Sequence, residues 1–408
     1  MHKEKIGIVG LGKLGLPMLA AFVSRGFDAY GYDINSELIK TLKQNVNPYE
    51  EPGLKEVIQS DSHSWPSRFF DNLKDLIQKV DVLFLIVPTP SKNEDATFDT
   101  SYLQATFDAV STTVNEINKQ IICVITSTVN PGDTEVIATR ATQATNGMLS
   151  VVYSPEFIAL GSVLRDMLNP DIVLLGGDKD EALDKIFSIY SRLYKTYPEF
   201  HRLNYFEAET AKIAINTYVT TKISFANTIG MFVENRTGSR KSAQKVLNAV
   251  GGDSRIGRKY FLYGGSYGGP CFPRDNRALA AHLKSASVPA QIPNATDGVN
   301  EDVLHFWEKK IENDGYDAIV LVGVAYKAGT DFLEESFMLR LAQRLNNKIS
   351  IYFHDPIIKE IAGINYLAPE QGARKLSEHN KSLVIYNYGD FFIENIPANI
   401  HQVRLWNN

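Results

Sequence analysis

The sequence is poor in cysteine, since its 408 residues include only Cys123 and Cys271. Two cysteines cannot build the disulfide framework of a small secreted domain, so we expect a reducing, cytoplasmic location. The first predicted strand starts at Lys5, too early for a signal peptide to precede it, which favours the same expectation. Cys123 lies in the apolar run Ile121–Ile125, a pattern typical of a buried strand with an inert thiol.

The sequence also lacks an excess of charge and any long apolar run. Its 42 basic and 47 acidic residues nearly balance, and the basic residues form no block. We therefore expect no nucleic-acid partner. No apolar run approaches the length that spans a bilayer, so we expect no membrane association either. The chain has no clear short repeat or low-complexity segment, and we predict no metal site.

A dinucleotide fingerprint lies near the start of the chain. Lys5–Val9 predicts a short buried strand, and residues 16–25 predict a helix. The glycine-rich segment between them has the strand–GxGxxG–helix context of dinucleotide-binding domains. Glycine permits the tight turn and a close approach to the pyrophosphate, which lies at the positive end of the helix. The cofactor-binding residues predicted in this segment are Gly10, Gly12, Lys13, Leu14 and Gly15.

Asp33 indicates which dinucleotide binds. It follows the predicted strand Asp28–Tyr32 and lies 23 residues beyond Gly10. A carboxylate at this place accepts hydrogen bonds from the adenosine ribose hydroxyls and repels a 2′-phosphate. We therefore predict NAD as the cofactor in preference to NADP.

Strands and helices alternate along the rest of the chain. Polar residues follow the predicted strands 81–87, 121–125 and 151–153, and a further strand covers 172–175. Ligands of open α/β sheets bind beyond the carboxyl ends of strands, which is where Thr89, Thr128 and Glu156 fall. A long helical pattern at 207–234 precedes a loop-rich region, and a second α/β pattern follows with strands at 318–324, 349–353 and 382–386.

These patterns predict an α/β fold with two Rossmann-like, doubly wound domains. A long central helix and a helical region join the two domains. The predicted boundaries are 1–200 for the NAD-binding domain, 201–310 for the central region and 311–408 for the C-terminal α/β domain. The C-terminal domain has no GxGxxG segment, so we expect no second dinucleotide there.

Cys271 lies in the segment Gly268–Asp275, which is rich in glycine and proline. Glycine lets the backbone approach a ligand closely, and proline restricts the loop. A thiolate is a strong nucleophile, and the carboxylate of Asp275 can hold a water or take a proton. Together with a dinucleotide domain, this thiol indicates an oxidation that passes through a covalent thioester.

Ordered blocks along nearly the whole chain resemble the nucleotide-sugar 6-dehydrogenases, a family that includes the UDP-glucose and GDP-mannose dehydrogenases. The blocks are Gly10 to Gly15, Glu51 to Leu54, Ser127 to Gly132, Ser154 to Phe157, Glu209 to Lys212 with Asn216, Arg255 to Gly257, Gly268 to Asp275, and Gly323 to Lys327. The resemblance implies that the C6 hydroxyl of a nucleotide sugar is oxidised to an acid, with two NAD molecules reduced in turn. It assigns nucleotide-sugar binding to the C-terminal domain.

The resemblance also implies a role for individual residues. Cys271 traps the aldehyde as a thiohemiacetal and then carries the thioester, while Lys212 and Asn216 stabilise oxyanions. Asp275 with Thr128 positions the water that accepts the first proton, and Glu156 is the base of later steps. The substrate-binding residues that it implies are Glu156, Phe157, Lys212, Asn216, Arg255, Gly268 and Lys327, and it adds Thr89 and Thr128 to the NAD site. Arg255 reaches the sugar from a neighbouring subunit, which implies a homodimer with the central helical region as its dimerisation region.

Three residues depart from the family pattern. Glu334 stands where the family has an arginine that touches the cofactor, Pro270 where serine or histidine precedes the cysteine, and Arg274 where lysine is usual. The run from Cys271 to Asp275 is similar to the UDP-glucose branch, so we predict that UDP-glucose is oxidised to UDP-glucuronate.

Other interpretations stay open. Another nucleotide sugar (a UDP-N-acetylhexosamine, UDP-galactose or GDP-mannose) could be the substrate, or the chain could be a silent sensor or a β-hydroxyacid dehydrogenase. Lys212 and Glu209 lie three residues apart and could form an ordinary ion pair on a helix surface.

Overall fold

The computed structural model describes residues 4–158, 160–388, 393 and 396–406. Contacts divide the chain into two units, Met1–Ile213 and Ala214–Asn408. Among the described residues, no helix combines the length and the apolar character needed to cross a bilayer.

The described part of the first unit contains an eight-stranded sheet with the order β3-β2-β1-β4-β5-β6-β7-β8. The strands are β1 Lys5–Val9, β2 Asp28–Tyr32, β3 Phe69–Phe70, β4 Val82–Leu85, β5 Ile121–Ile125, β6 Leu149–Tyr153, β7 Ile172–Gly176 and β8 Glu199–Leu203. β1 to β6 pair in parallel, and the chain direction reverses where β6 meets β7 at the pair Tyr153–Gly176. The strand order changes direction between β1 and β4, which is where a doubly wound sheet binds its ligand.

Helices cover both faces of this sheet, because each strand carries apolar residues on both sides. The helices are α1 Gly15–Ser24, α2 Ser36–Lys43, α3 Leu54–Ser60, α4 Leu73–Lys79, α5 Ser101–Ile117, α6 Asp133–Ala144, α7 Val163–Leu168 and α8 Asp180–Leu193. One core contains Ile6, Phe22 and Phe84, and the other contains Leu83, Phe107 and Cys123. The two cores fix the sheet and therefore the edge where its strands end.

The helix α9, Tyr205–Thr237, is continuous over 33 residues and follows β8. It contains a single glycine, Gly230, and no proline, so nothing in its sequence interrupts the hydrogen-bond ladder. Both Lys212 and Asn216 lie on α9, one helical turn apart.

The second unit contains further helices and a parallel sheet with the order β11-β10-β9-β12-β13 among its described residues. The helices are α10 Arg240–Gly251, α11 Phe272–Ser285, α12 Gln291–Asn313, α13 Phe337–Leu345 and α14 Gly372–Ser377, and the strands are β9 Ala318–Val322, β10 Ser350–His354, β11 Asn365–Tyr366, β12 Ser382–Tyr386 and β13 His401–Arg404. Its core packs Trp307 and Phe337 against strand residues such as Leu321. The sheet has the Rossmann-like topology predicted for the C-terminal domain.

The fold class predicted from the sequence is confirmed, and two local predictions are wrong. The strand predicted at 81–87 is β4, Val82–Leu85, and is shorter. The region predicted as rich in loops is largely helical from α10 onward, and only residues 252–271 between α10 and α11 form an extended loop. Asp275 therefore lies in the first turn of α11 and not on a loop. The three predicted domain boundaries stay a prediction.

Candidate active site

The glycine-rich turn lies between β1 and α1. Gly10 has a φ of 91°, and a Cβ there would lie 2.2 Å from the carbonyl oxygen of Ile86. A Cβ on the exposed Gly12 would meet no atom within 4 Å. The turn thus presents open space at the start of α1, where the helix dipole favours an anion. This open space fits the pyrophosphate of a dinucleotide.

Asp33 is fixed at the end of β2 by two backbone groups. Its Oδ2 accepts a hydrogen bond from the N–H of Leu11 at 2.7 Å, and its Oδ1 accepts one from the N–H of Asn35 at 2.8 Å. Each carboxylate oxygen keeps a second lone pair, which can accept a ribose hydroxyl. Burial, with a smaller effect of the Asp33 charge, raises the pKa of both Tyr32 and Tyr49. The turn and Asp33 are therefore tied together as a site that fits NAD.

Hydroxyl groups join the ends of β4 and β5. The buried Thr89 donates to the carbonyl oxygen of Thr128 at 2.7 Å. The hydroxyl of Ser127 accepts from the N–H of Val87 at 3.0 Å and donates to its carbonyl oxygen at 2.7 Å. Thr89 and Thr128 thus lie together, as predicted for residues beyond the carboxyl ends of neighbouring strands.

Glu156 and Lys212 meet beyond the end of β6. The ammonium of Lys212, only 6% exposed, donates to the backbone carbonyl of Glu156 at 2.7 Å and lies 4.4 Å from the centre of the Phe157 ring. Burial raises the pKa of Glu156 to about 7, although the charge of Lys212 opposes the rise. A carboxyl group with this pKa can exchange a proton near neutral pH.

Glu209 has a structural contact that the sequence did not reveal. Its buried carboxylate accepts from the N–H groups of Gly132 at 2.5 Å and Thr134 at 2.7 Å. These N–H groups belong to the start of α6, so Glu209 caps that helix. Neither Glu209 nor Lys212 is on the surface, and the interpretation of the two as an exposed ion pair is wrong.

In the second unit, Asn216 and Asp275 form a close pair. The Asn216 amide donates to Oδ2 of Asp275 at 2.6 Å. Oδ1 of Asp275 accepts from Nε and Nη2 of Arg274, at 3.1 and 3.0 Å. The carboxylate of Asp275 is fully buried, so these charge-assisted bonds compensate for its lost hydration. Two nitrogens of Arg274 thus contact one oxygen of the carboxylate, at the place where the family has lysine.

Cys271 immediately precedes α11 and is exposed. Its carbonyl oxygen accepts from the N–H of Asp275 at 2.8 Å, so the first helical turn holds the cysteine backbone. The positive end of a helix favours an anionic sulfur. Tyr326 lies near this thiol, and its pKa rises to about 12 through burial and the negative charge of Cys271. The sequence placed Tyr326 in a family block but gave it no function. By contrast, Cys123 is buried in β5, and burial raises its pKa.

The remaining predicted substrate residues occupy two loops. Lys327 follows β9 and is half-buried, and its carbonyl oxygen accepts from the Thr330 hydroxyl at 2.8 Å. Arg255 is 87% exposed and pairs with Asp253 of the same turn at 2.7 Å. Gly268 is half-buried in the loop before Cys271. No group of three potential metal ligands occurs within the ranges that the structure describes.

The chain is similar to known proteins along most of its length. Residues 4–196 match the NAD binding domain of the UDP-glucose/GDP-mannose dehydrogenase family, and residues 206–302 match its central domain. The UDP-glucose 6-dehydrogenase TuaD of Bacillus subtilis is 31% identical over 362 residues, which are 87% of this chain and 76% of that protein.

Two solved structures are similar over nearly all of their length. A UDP-glucose dehydrogenase from Pyrobaculum islandicum has a TM-score of 0.86 at 26% identity, with coverage of 100% of this chain and 98% of that one. A UDP-D-ManNAc dehydrogenase from Pyrococcus horikoshii has a TM-score of 0.78 at 22% identity, with coverage of 98% and 99%, and shares the fold. The chain therefore belongs to the UDP-glucose/GDP-mannose dehydrogenase family and is an NAD-dependent nucleotide-sugar 6-dehydrogenase.

Proposed function

We propose that the enzyme oxidises UDP-glucose to UDP-glucuronate through a covalent intermediate on Cys271. The observation that carries this proposal is the exposed thiol at the start of α11, four residues before the buried Asp275 that pairs with Asn216. A nucleophile held by a helix terminus and adjacent to a fixed carboxylate suits covalent catalysis. NAD, when bound, accepts the hydride in each of the two oxidations.

The residues of the second unit then act in order. Oxidation of the C6 alcohol yields an aldehyde and releases one proton, which passes to a water held by Asp275. The Cys271 sulfur adds to the aldehyde carbon and forms a thiohemiacetal. Loss of the second hydride and a proton converts it to a thioester, and water then cleaves the carbon–sulfur bond to give the acid and the free thiol. The Asn216 amide donates to the oxyanions of these steps.

In the first unit, Glu156 serves as the base. Its pKa of about 7 lets it accept a proton from the thiohemiacetal hydroxyl or from the hydrolytic water. The Lys212 ammonium, buried beside Glu156 and Phe157, stabilises negative charge on oxygen. Thr89 and Thr128 support the NAD site with Gly10, Gly12, Lys13, Leu14, Gly15 and Asp33. Phe157, Arg255, Gly268 and Lys327 bind the substrate in this proposal, in a cytoplasmic enzyme with the three domains predicted above.

Two observations support UDP-glucose as the sugar. The run from Cys271 to Asp275 resembles the UDP-glucose branch, and the 31% identical Bacillus relative is a UDP-glucose 6-dehydrogenase. A pocket that bonds a 2-hydroxyl rejects an N-acetyl group through a clash and unpaired polar groups. Pro270 is unusual before the cysteine, so the alternative substrate is a nucleotide sugar with a modified hexose.

The homodimer is also part of this proposal. Tyr218, Phe225 and Phe232 recur every seven residues on α9, and their exposed fractions are 66%, 53% and 65%. A heptad stripe of aromatic residues covers one face of a helix and is typical of a helix–helix interface. A second copy of this chain presents the same stripe and can pair with it about a two-fold axis.

A side-by-side assay tests the substrate. Purified enzyme with NAD is given UDP-glucose, UDP-GlcNAc, UDP-ManNAc, UDP-galactose or GDP-mannose, and NADH and acid are measured. We expect the highest kcat/KM for UDP-glucose and two NADH for each acid. A preference of about tenfold for another sugar would overturn the choice of sugar but not the type of reaction. Binding of a nucleotide sugar without NADH from any of them would support the sensor instead.

A further inference from the structure

Glu335 has an unusual backbone conformation. Its φ is 51°, the left-handed region that residues other than glycine and asparagine seldom adopt. It follows Glu334, which stands at the place of the family's cofactor arginine, and precedes Ser336, the cap of α13. A non-glycine residue keeps such a conformation only where its surroundings determine it, and such residues cluster at functional sites.

The backbone around Glu335 supports the loop before Cys271. The N–H of Gly269 donates to the carbonyl oxygen of Glu334 at 3.0 Å. A Cβ on Gly268 would lie 2.2 Å from the carbonyl oxygen of Glu335, so the two backbones are in direct contact. The backbone of Gly268 and Gly269, just before the thiol, is therefore in contact with the backbone of residues 334 and 335.

The Glu335 side chain joins this support to α11, the helix that begins after Cys271. Oε1 accepts from Nη1 of Arg277 at 3.0 Å, and Oε2 lies 3.3 Å from Nη1 of Arg340 on α13. Arg277 lies in the second turn of α11. One residue thus contacts the loop before the thiol through its backbone and the helix after the thiol through its carboxylate.

We propose that Glu335 is a positioning residue that fixes Cys271 by holding both sides of it at once. The proposal rests on the proposed function of Cys271 as the nucleophile. The left-handed backbone directs the Glu335 carbonyl to Gly268 while the carboxylate stays between the two arginines. With the carboxylate released, the aldehyde leaves before the sulfur can add to it, because orientation governs the rate of such an addition.

The test compares Glu335→Gln with a matched control, Glu301→Gln. Glu301 also pairs with Arg340, and with Arg344 at 2.9 Å, whereas Arg277 pairs with Glu335 at 3.0 Å and with Asp297 at 3.2 Å. Each variant is given UDP-glucose and NAD in the presence of a hydrazine that traps aldehyde. NADH, acid and trapped aldehyde are measured, together with the Kd for NAD.

We expect about a fivefold or greater fall in acid formation for Glu335→Gln, with trapped aldehyde and an NADH-to-acid ratio above two. The Kd for NAD and the behaviour of Glu301→Gln should match the unaltered enzyme. Arg277→Gln removes the partner of Glu335 on α11 and should release aldehyde as well. If Glu335→Gln is unstable, the aldehyde release of Arg277→Gln tests the positioning role in its place. The double variant should be no worse than either single one, since the two residues act as a unit.

A normal NADH-to-acid ratio in both Glu335→Gln and Arg277→Gln, or equal aldehyde release by Glu301→Gln, would overturn the proposal. A parallel assay of Cys271→Ala separates this failure from failure of the proposed function. If Cys271→Ala still forms acid, the covalent mechanism is wrong. If it forms none while Glu335→Gln behaves normally, only the positioning role is wrong.

Discussion

The Lys212 ammonium donates a hydrogen bond to the backbone carbonyl oxygen of Glu156 at 2.7 Å. The acceptor in this contact is the main chain of Glu156, whose side chain carries the carboxyl group. The Glu156 carboxyl takes no part in this hydrogen bond, and the Lys212 charge acts on it through space. Burial raises its pKa to about 7, and the Lys212 charge opposes the rise. The pair thus holds a cation and a base whose protonation state changes near neutral pH.

The first prediction concerns pH. A base must be deprotonated, so kcat should rise as the pH increases through about 7, the pKa of Glu156. Glu156→Gln should lower kcat and remove this limb of the profile. The stability of the fold should change in the opposite direction with pH. The folded state binds the Glu156 proton more tightly, because the pKa is about 7 in the folded state and 4.5 in the unfolded state. The contribution of Glu156 to the unfolding free energy should fall as the pH rises from 4.5 to about 7, and Glu156→Gln should abolish that fall in thermal melts.

The second prediction concerns the nucleophile. Cys271→Ala should abolish acid formation, because the second cysteine, Cys123, is buried and cannot replace the lost thiol. Cys271→Ser could still add to the aldehyde and should stall as a slowly hydrolysed ester, visible in the mass of the intact protein. Cys123→Ala is the control and should keep its activity. Near-normal acid production by Cys271→Ala would exclude the thioester route.

The third prediction concerns the cofactor. Asp33→Ala should raise the KM for NAD and narrow the gap between NAD and NADP, because the carboxylate no longer repels a 2′-phosphate. Asp33 also accepts from the Leu11 N–H, so part of the loss reflects a looser turn. Asp33→Asn keeps the shape without the charge and separates the two effects. Equal kcat/KM for NAD and NADP in the unaltered enzyme would contradict the assignment.

The fourth prediction concerns Glu209. Glu209→Ala leaves two N–H groups at the start of α6 without a partner and should cost about 2 kcal/mol of stability. Glu135, exposed in the first turn of the same helix, provides the control, and Glu135→Ala should change stability by less than about 0.5 kcal/mol. Denaturant unfolding monitored by circular dichroism measures both. Equal losses in the two variants would show that the cap is unimportant.

The fifth prediction concerns assembly. Phe232→Asp places a charge on the heptad stripe of α9 and should shift the enzyme from dimer to monomer in sedimentation. Phe206→Asp changes another exposed aromatic residue of α9 outside the seven-residue series and should leave the mass unchanged. A monomeric unaltered enzyme at assay concentrations would disprove the dimer.

The sequence predicted β1, β2, β5 and β12 with their observed bounds, because short apolar runs bounded by glycine or polar residues are typical of strands in parallel sheets. It failed between α10 and α12, where glycine and proline are frequent and indicate loops. Pro273 in fact lies in the first turn of α11, where a proline needs no hydrogen bond. Sequence patterns therefore located Cys271 but missed the helix that follows it.

The candidate site was predictable where its residues belong to local patterns. Gly10, Asp33 and Thr128 follow predicted strands, and their places follow from sheet topology. The cap formed by Glu209 was not predictable, because its partners Gly132 and Thr134 lie 77 and 75 positions away along the chain. Such contacts depend on packing between distant segments, which one sequence does not reveal.

The single pair that joins β6 to β7, Tyr153 with Gly176, has a consequence for the chemistry. A methyl group on Gly176 would lie 2.8 Å from Cβ of Ala208 and 3.3 Å from Cβ of Tyr153. Ala208 directly precedes Glu209 on α9, and Lys212 follows one turn later. This junction has no steric tolerance, so Gly176→Ala would displace the start of α9 and with it the ammonium that contacts Glu156. A residue that touches no substrate thereby sets how accurately the enzyme places its cation.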